Sequence, residues 1–68
     1  ECLQVEIPPE ILGRIPEDKR DALIQVLEQD PRPHYQNDPE RIYGITFAGM
    51  NVKFKVAGDT LTVTGIDN

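Results

Sequence analysis

Apolar and polar residues alternate near the start of the chain, and this period of two is typical of a strand with one buried face. The segment is residues 2–7, in which Leu3, Val5 and Ile7 are the apolar members. Two prolines follow it. Because proline is favoured in the first turn of a helix, residues 9–15 are predicted to form a short helical turn.

A stronger helix is predicted for residues 17–29. Its apolar positions recur at i, i+3 and i+4, and its first turn is rich in acids, which suit the positive end of a helix dipole. The predicted apolar stripe comprises Ala22, Leu23, Ile24, Val26 and Leu27. The helix is expected to end before Asp30, because Pro31 and Pro33 each disfavour helical angles in the preceding residue. Residues 30–40 are interpreted as an ordered loop or extended connector.

From Arg41 onward the apolar period is again two. Three runs share it: Tyr43, Ile45 and Phe47, then Val52, Phe54 and Val56, then Leu61 and Val63 with Ile66. Turns are predicted at residues 48–51 and 57–60, so the strands form a meander with one apolar and one polar face. The predicted fold is a single α+β domain spanning residues 1–68, in the order β-α-α-β-β-β. Two helices, the second longer, cover one face of a small antiparallel-rich sheet.

Length and charge restrict the function classes. A chain of 68 residues is one small domain, and its net charge of −5 opposes RNA and anionic membranes over most of the surface. The acids are concentrated in residues 1–40, whereas residues 41–68 carry a small excess of cations. No apolar run is long enough for a membrane span, and the one cysteine, Cys2, forms no internal disulfide. We therefore expect a cytoplasmic protein without a metal or a cofactor.

His34 is the side chain most suited to acid–base chemistry. It is the only histidine, and histidine alone titrates near neutrality without perturbation. Cleavage of RNA without a metal needs a base, an acid and cations, and His34, Tyr35 and Arg41 are the candidate catalytic residues. The alternative is that His34 is an ordinary surface loop residue and that Tyr35 covers the edge of the core.

Lys53 and Lys55 flank Phe54 on one predicted strand, so they are expected to point from the same polar face. Two amines beside threonine hydroxyls are groups suited to binding phosphate. The candidate RNA- or phosphate-binding residues are Arg32, Tyr43, Asn51, Lys53 and Lys55. The alternative is that the lysines only keep an exposed sheet from aggregating.

Several short motifs carry a resemblance to a known family. They are Asp30-Pro31-Arg32-Pro33 after the amphipathic helix, the runs 43–56 and 58–63, and the opening residues 5–9. Together they resemble the RelE/ParE toxin superfamily. The resemblance implies a cytoplasmic bacterial toxin paired with an antitoxin; some members cut ribosome-bound mRNA without a metal and others inhibit DNA gyrase.

The chain also departs from that family. Gly44, Thr46 and Asn51 stand where its members commonly have arginine, and only Tyr43 and Arg32 match the family's functional positions. The leading hypothesis is therefore a reduced RelE/ParE-like protein, with ribonuclease activity lost or rebuilt. The alternative is a non-enzymatic module that binds an antitoxin-like or other protein through its acidic helix or a sheet edge. Self-association through an edge strand is a third hypothesis.

Overall fold

The computed structural model describes residues 2–32 and 38–67, which form an α+β fold. The strands are β1 (Gln4–Glu6), β2 (Tyr43–Phe47), β3 (Met50–Ala57) and β4 (Thr60–Asp67), and the helices are α1 (Pro9–Leu12) and α2 (Arg20–Glu28). The predicted order β-α-α-β-β-β and the longer second helix are confirmed. Neither helix is long or apolar enough to cross a membrane, and the described segments contain no other candidate span.

The four strands form one mixed sheet in the order β1-β4-β3-β2. β3 pairs antiparallel with both β2 and β4, whereas β1 runs parallel to β4. β1 is shorter than the predicted strand over residues 2–7, because only three of its residues pair with β4. Before it, the backbone N–H of Leu3 donates to the carbonyl of Glu28 at the end of α2. The start of the chain is thus hydrogen-bonded both to the end of α2 and, through β1, to the sheet.

The helix predicted over residues 17–29 consists of two parts. A 3₁₀ turn, Glu17–Lys19, precedes α2, and the Arg20 side chain donates from Nε to the Ile15 carbonyl at 3.1 Å. In α2, Leu23 and Leu27 are fully buried and Ile24 is half-buried. Ala22 and Val26 are exposed, so their assignment to the apolar stripe was wrong. Each precedes a buried leucine and therefore lies about 100° round the helix from the sheet.

The hydrophobic core lies between the helices and one face of the sheet. Its fully buried side chains are Ile15, Leu23 and Leu27 from the helical side and Val52, Phe54, Leu61 and Val63 from the strands. The pairing of β3 with β4 shifts once: Phe54 pairs with Val63, but Lys53 pairs with Gly65. One extra residue therefore bulges from β4 between these pairs, and this bulge returns Ile66 to the core side.

Both hairpins use two-residue turns, which are tighter than the predicted four-residue segments. Ala48 and Gly49 join β2 to β3 with φ of 51° and 78°, the pattern of a type I′ turn. Gly58, with φ of 63°, opens the turn from β3 to β4. Met50, placed in the first turn by the sequence pattern, is instead a buried residue of β3.

Candidate functional site

The helices cover one face of the sheet, and the side chains of the opposite face, here called the open face, are polar apart from Ala57 at the end of β3. They come from Asn51, Lys53 and Lys55 on β3, Thr60 and Thr62 on β4, Gln4 and Glu6 on β1, Thr46 on β2, and Asp67 at the end of β4. Three of the predicted phosphate-binding residues, those of β3, are therefore brought together in one row. Because they are alternate residues of one strand, successive members are about 7 Å apart.

Lys53 forms an ion pair on the open face. Its Nζ lies 3.2 Å from Oδ2 of Asp67, and the two side chains are 47% and 65% exposed. Such an exposed pair is weak, with a contribution of about 0–1 kcal/mol. Lys55 is half-buried and lies opposite Thr62. Both ammonium groups thus occur on a surface open to a large ligand.

Arg41 and Tyr43 form a separate group at the start of β2. The Arg41 guanidinium lies over the Tyr43 ring, with Cζ 5.7 Å from the ring centroid. The other aromatic contact of Tyr43 is with Phe54, whose ring stacks on it at 5.6 Å and an interplanar angle of 24°. The Tyr43 hydroxyl is buried and has no hydrogen-bond partner among residues 2–32 and 38–67. Tyr43 therefore points into the core, away from the row of Lys53 and Lys55.

Arg32 lies just beyond α2 and is bound to Asp30. Its side chain is only 5% exposed, and its Nε and Nη2 donate to the two carboxylate oxygens of Asp30. The hydrogen bond from Arg32 holds the pKa of the Asp30 carboxyl below its usual value, although partial burial acts in the opposite direction. The guanidinium that was a candidate phosphate ligand thus holds a carboxylate of its own chain.

The structure divides the predicted site residues among different places. Asn51, Lys53 and Lys55 share the open face, Arg41 and Tyr43 lie at the start of β2, and Arg32 follows α2. His34 and Tyr35 lie outside the described residues. Of the predicted catalytic residues, only Arg41 therefore has a described position, and the catalytic hypothesis for these three remains a prediction.

Sequence reasoning missed the partners of two cations. Asp30 stands two residues before Arg32. Because Pro31 lies between them, the segment was interpreted only as a loop, and the ion pair between its two charged residues was not predicted. Asp67 was missed as the partner of Lys53 because the bulge in β4 changes which residues share the open face. Within residues 2–32 and 38–67, no three His, Cys, Asp or Glu side chains come close enough together to hold a metal ion.

Comparison with known proteins identifies the family. The profile described as the TrmO C-terminal domain matches residues 1–68, which is the whole chain. The chain belongs to this family. No curated protein and no solved structure gave a significant match.

This family membership corrects the sequence interpretation. The identification with the RelE/ParE toxin superfamily was wrong, and so was the toxin–antitoxin function based on it. The misleading features were an amphipathic helix, a proline-rich connector and a three-stranded meander, which are features of fold and order and do not distinguish families. The absent arginines at Gly44, Thr46 and Asn51 were the sequence signal against that identification.

Proposed function

We propose that this chain is an accessory domain of a tRNA-modifying enzyme, and that it helps to hold tRNA while another part of that enzyme carries out the reaction. The observation that carries the proposal is the match of residues 1–68 to the TrmO C-terminal domain, which is associated with a tRNA methyltransferase. The domain would then contribute to tRNA binding, and the residues that transfer the methyl group would belong to the rest of the enzyme.

The shape of the candidate site supports a binding role. Small-molecule reaction centres are usually concave and exclude water, whereas a macromolecule can be held by an open surface. Lys53 and Lys55 project from an open sheet face, and Arg41 is exposed at the start of the neighbouring strand. These positions suit contacts with a large anionic ligand.

The charge of the chain sets the expected strength of this interaction. A net charge of −5 repels RNA over most of the surface, so binding depends on a local group of cations. We expect a dissociation constant in the range typical of non-specific binding, about 10⁻⁴–10⁻⁶ M. Linked to a second tRNA contact in the same enzyme, such a weak site still raises overall affinity, because the second binding event becomes intramolecular. A cytoplasmic location, expected from the sequence, is part of this proposal, since the domain would act where its tRNA is found.

Steady-state methylation tests the proposal. An enzyme that carries residues 1–68 is compared with the same enzyme lacking them, with tRNA as the varied substrate. Loss of the domain should raise KM for tRNA and leave kcat largely unchanged, because it removes binding and not chemistry.

A matched control distinguishes tRNA binding by the folded domain from an effect of the added chain length alone. In the control enzyme, a flexible glycine–serine linker of equal length replaces residues 1–68, and its KM should be as high as that of the truncated enzyme. If KM and kcat of the truncated enzyme equal those of the intact one, the proposed function is wrong. A loss of kcat at saturating tRNA would also contradict it, since the domain would then act in the reaction.

A further inference from the structure

The cations of the open face lie near its centre, whereas its acids lie on an edge strand or at a strand end. Lys53 and Lys55 belong to β3, an inner strand of the sheet. Glu6 is on the edge strand β1, and Asp67 is the last residue of β4. An extended anion that crosses the sheet near the middle of β3 therefore meets both ammonium groups, of which Lys53 is already paired with the Asp67 carboxylate.

The helical side of the molecule, opposite the open face, has an excess of negative charge and is therefore less favourable to RNA. Residues 9–28, which contain the helices, hold five acids against three bases. One of those bases, Arg20, already donates from Nε to the carbonyl of Ile15. Phosphates are therefore repelled more strongly by the helical layer than by the open face, where cations and acids balance.

The surface beside Lys53 lacks side chains. Its partner on β2 is Gly44 and its partner on β4 is Gly65, so bare backbone flanks it on both sides. Neither glycine has a positive φ, and a Cβ at Gly65 would meet nothing within 4 Å. A Cβ at Gly44 would make only an ordinary contact, 3.5 Å from Oδ1 of Asn51. The domain's own packing does not require either glycine, and glycine within a strand is often found where a ligand approaches the backbone closely.

The three aromatic side chains that the structure describes do not lie on the open face. Tyr43 and Phe54 are buried in the core, and Phe47 packs against it. Among the described residues, the open face therefore has no ring on which a base could stack, and its donors are ammonium, hydroxyl and amide groups. Such donors contact the sugar–phosphate backbone and carry little sequence information.

From these observations we propose that the open face, centred on Lys53 and Lys55, is the docking surface for the phosphate backbone of tRNA. This inference rests on the proposed function and adds the place and the mode of contact. Asp67 competes with phosphate for Lys53, because an incoming phosphate must displace its carboxylate from the exposed ion pair.

Binding of an unmodified tRNA transcript to the 68-residue chain tests the inference. Fluorescence anisotropy is measured over a range of salt concentrations for the wild type, the double variant Lys53→Gln/Lys55→Gln, Asp67→Asn and Gly65→Val. Each lost lysine contact should reduce the slope of log K against log salt by about 1, and therefore by about 2 in the double variant. Asp67→Asn should tighten binding by up to about fivefold, since it removes only an exposed competitor. Gly65→Val should weaken binding with no change in charge.

Lys19→Gln is the matched control, because it removes one exposed cation from the helical side. It should leave the salt slope within about 0.3 of the wild type, well below the change for one phosphate contact. Circular dichroism confirms that each variant is folded. If tRNA binds the wild type but the double variant and Asp67→Asn keep its affinity and slope, the docking surface is wrong and the proposed function stands. If neither the wild type nor Asp67→Asn binds tRNA, both are wrong.

Discussion

Arg32 donates two hydrogen bonds to the carboxylate of Asp30, from Nε to Oδ1 at 2.6 Å and from Nη2 to Oδ2 at 2.5 Å. Asp30 directly follows the C-cap of α2 and has a φ of 60°. This left-handed conformation usually belongs to glycine at a helix end, and it costs a residue with a side chain about 1 kcal/mol. The bidentate pair with Arg32 offsets that cost and fixes the direction in which the chain leaves the helix.

Loss of the Asp30 charge should destabilise the fold. Asp30→Asn keeps a side chain that tolerates the left-handed conformation, so it isolates the ion pair from the backbone strain. We expect a loss of about 1–2 kcal/mol, because the nearly buried Arg32 would lose its charged hydrogen bonds to the Asp30 carboxylate. The loss is limited because the Asp30 side chain is one-quarter exposed. Urea denaturation measures the change. Asp67→Asn, in the exposed pair with Lys53, is the control and should cost less than about 1 kcal/mol. Equal losses in the two variants would contradict the prediction.

The same pair predicts a pH dependence. The hydrogen bond from Arg32 lowers the pKa of Asp30 in the folded state, whereas the unfolded value is about 3.9. A lowered pKa means that the stabilisation is fully present above the unfolded value and is lost as the pH falls through the folded value. The stability difference between the wild type and Asp30→Asn should therefore be constant from pH 7 to about 5 and shrink below pH 4. Denaturant midpoints at pH 7, 5, 4 and 3 test this, and an undiminished difference at pH 3 would contradict it.

Ala48 offers a stabilising substitution. Its φ of 51° is unfavourable for alanine, and it is followed by Gly49 in a turn for which Asn-Gly is the preferred sequence. Ala48→Asn should raise the free energy of unfolding by about 0.5–1 kcal/mol. Thermal and urea unfolding measure it. Ala57→Asn, at an exposed strand position without a positive φ, is the control and should give no gain. The turn assignment would be wrong if both variants were equally stable.

Phe54 should be a major contributor to stability. It is fully buried on the inner strand β3, and its ring stacks on Tyr43. Phe54→Leu should cost about 1–2 kcal/mol and Phe54→Ala about 3–5 kcal/mol, enough to unfold a marginally stable domain. Val26→Ala, at a position that is 39% exposed, should cost less than about 1 kcal/mol. Urea midpoints rank the three variants, and a loss for Val26→Ala as large as that for Phe54→Leu would contradict the assignment of the core.

The apolar pattern predicts most of this fold because apolar residues recur about every 3.6 residues in a helix and every second residue in a strand. Strict alternation from Met50 to Ala57 places Val52, Phe54 and Val56 on one face, and the structure has that arrangement. In β4 the same pattern shows only that the alternation breaks between Val63 and Ile66, and it cannot distinguish a bulge from the end of the strand. Nor does it separate the 3₁₀ turn from α2, since both place residues at similar spacing.

Part of the candidate site is equally predictable. Lys53 and Lys55 share a face because they are two residues apart in a strand. The environment of Arg32 is not predictable in this way, because it depends on the reversal of the backbone at Asp30. The depth of Tyr43 also depends on packing: its position in the alternation indicates the core face, but not that its hydroxyl would lack a partner in the described part of the chain.

The Tyr43 hydroxyl provides the final prediction. A buried polar group without a hydrogen bond is unfavourable by about 1–3 kcal/mol, so its removal in Tyr43→Phe should leave stability unchanged or raise it. The ring contacts with Phe54 and Arg41 remain in that variant, whereas Tyr43→Leu removes them and should lose about 1 kcal/mol or more. Urea denaturation compares the two variants, and tRNA anisotropy shows whether the hydroxyl contacts RNA. Because the hydroxyl is buried, Tyr43→Phe should bind tRNA as the wild type does. A clear loss of stability or of tRNA affinity in Tyr43→Phe would show that the hydroxyl has a partner and would contradict the prediction.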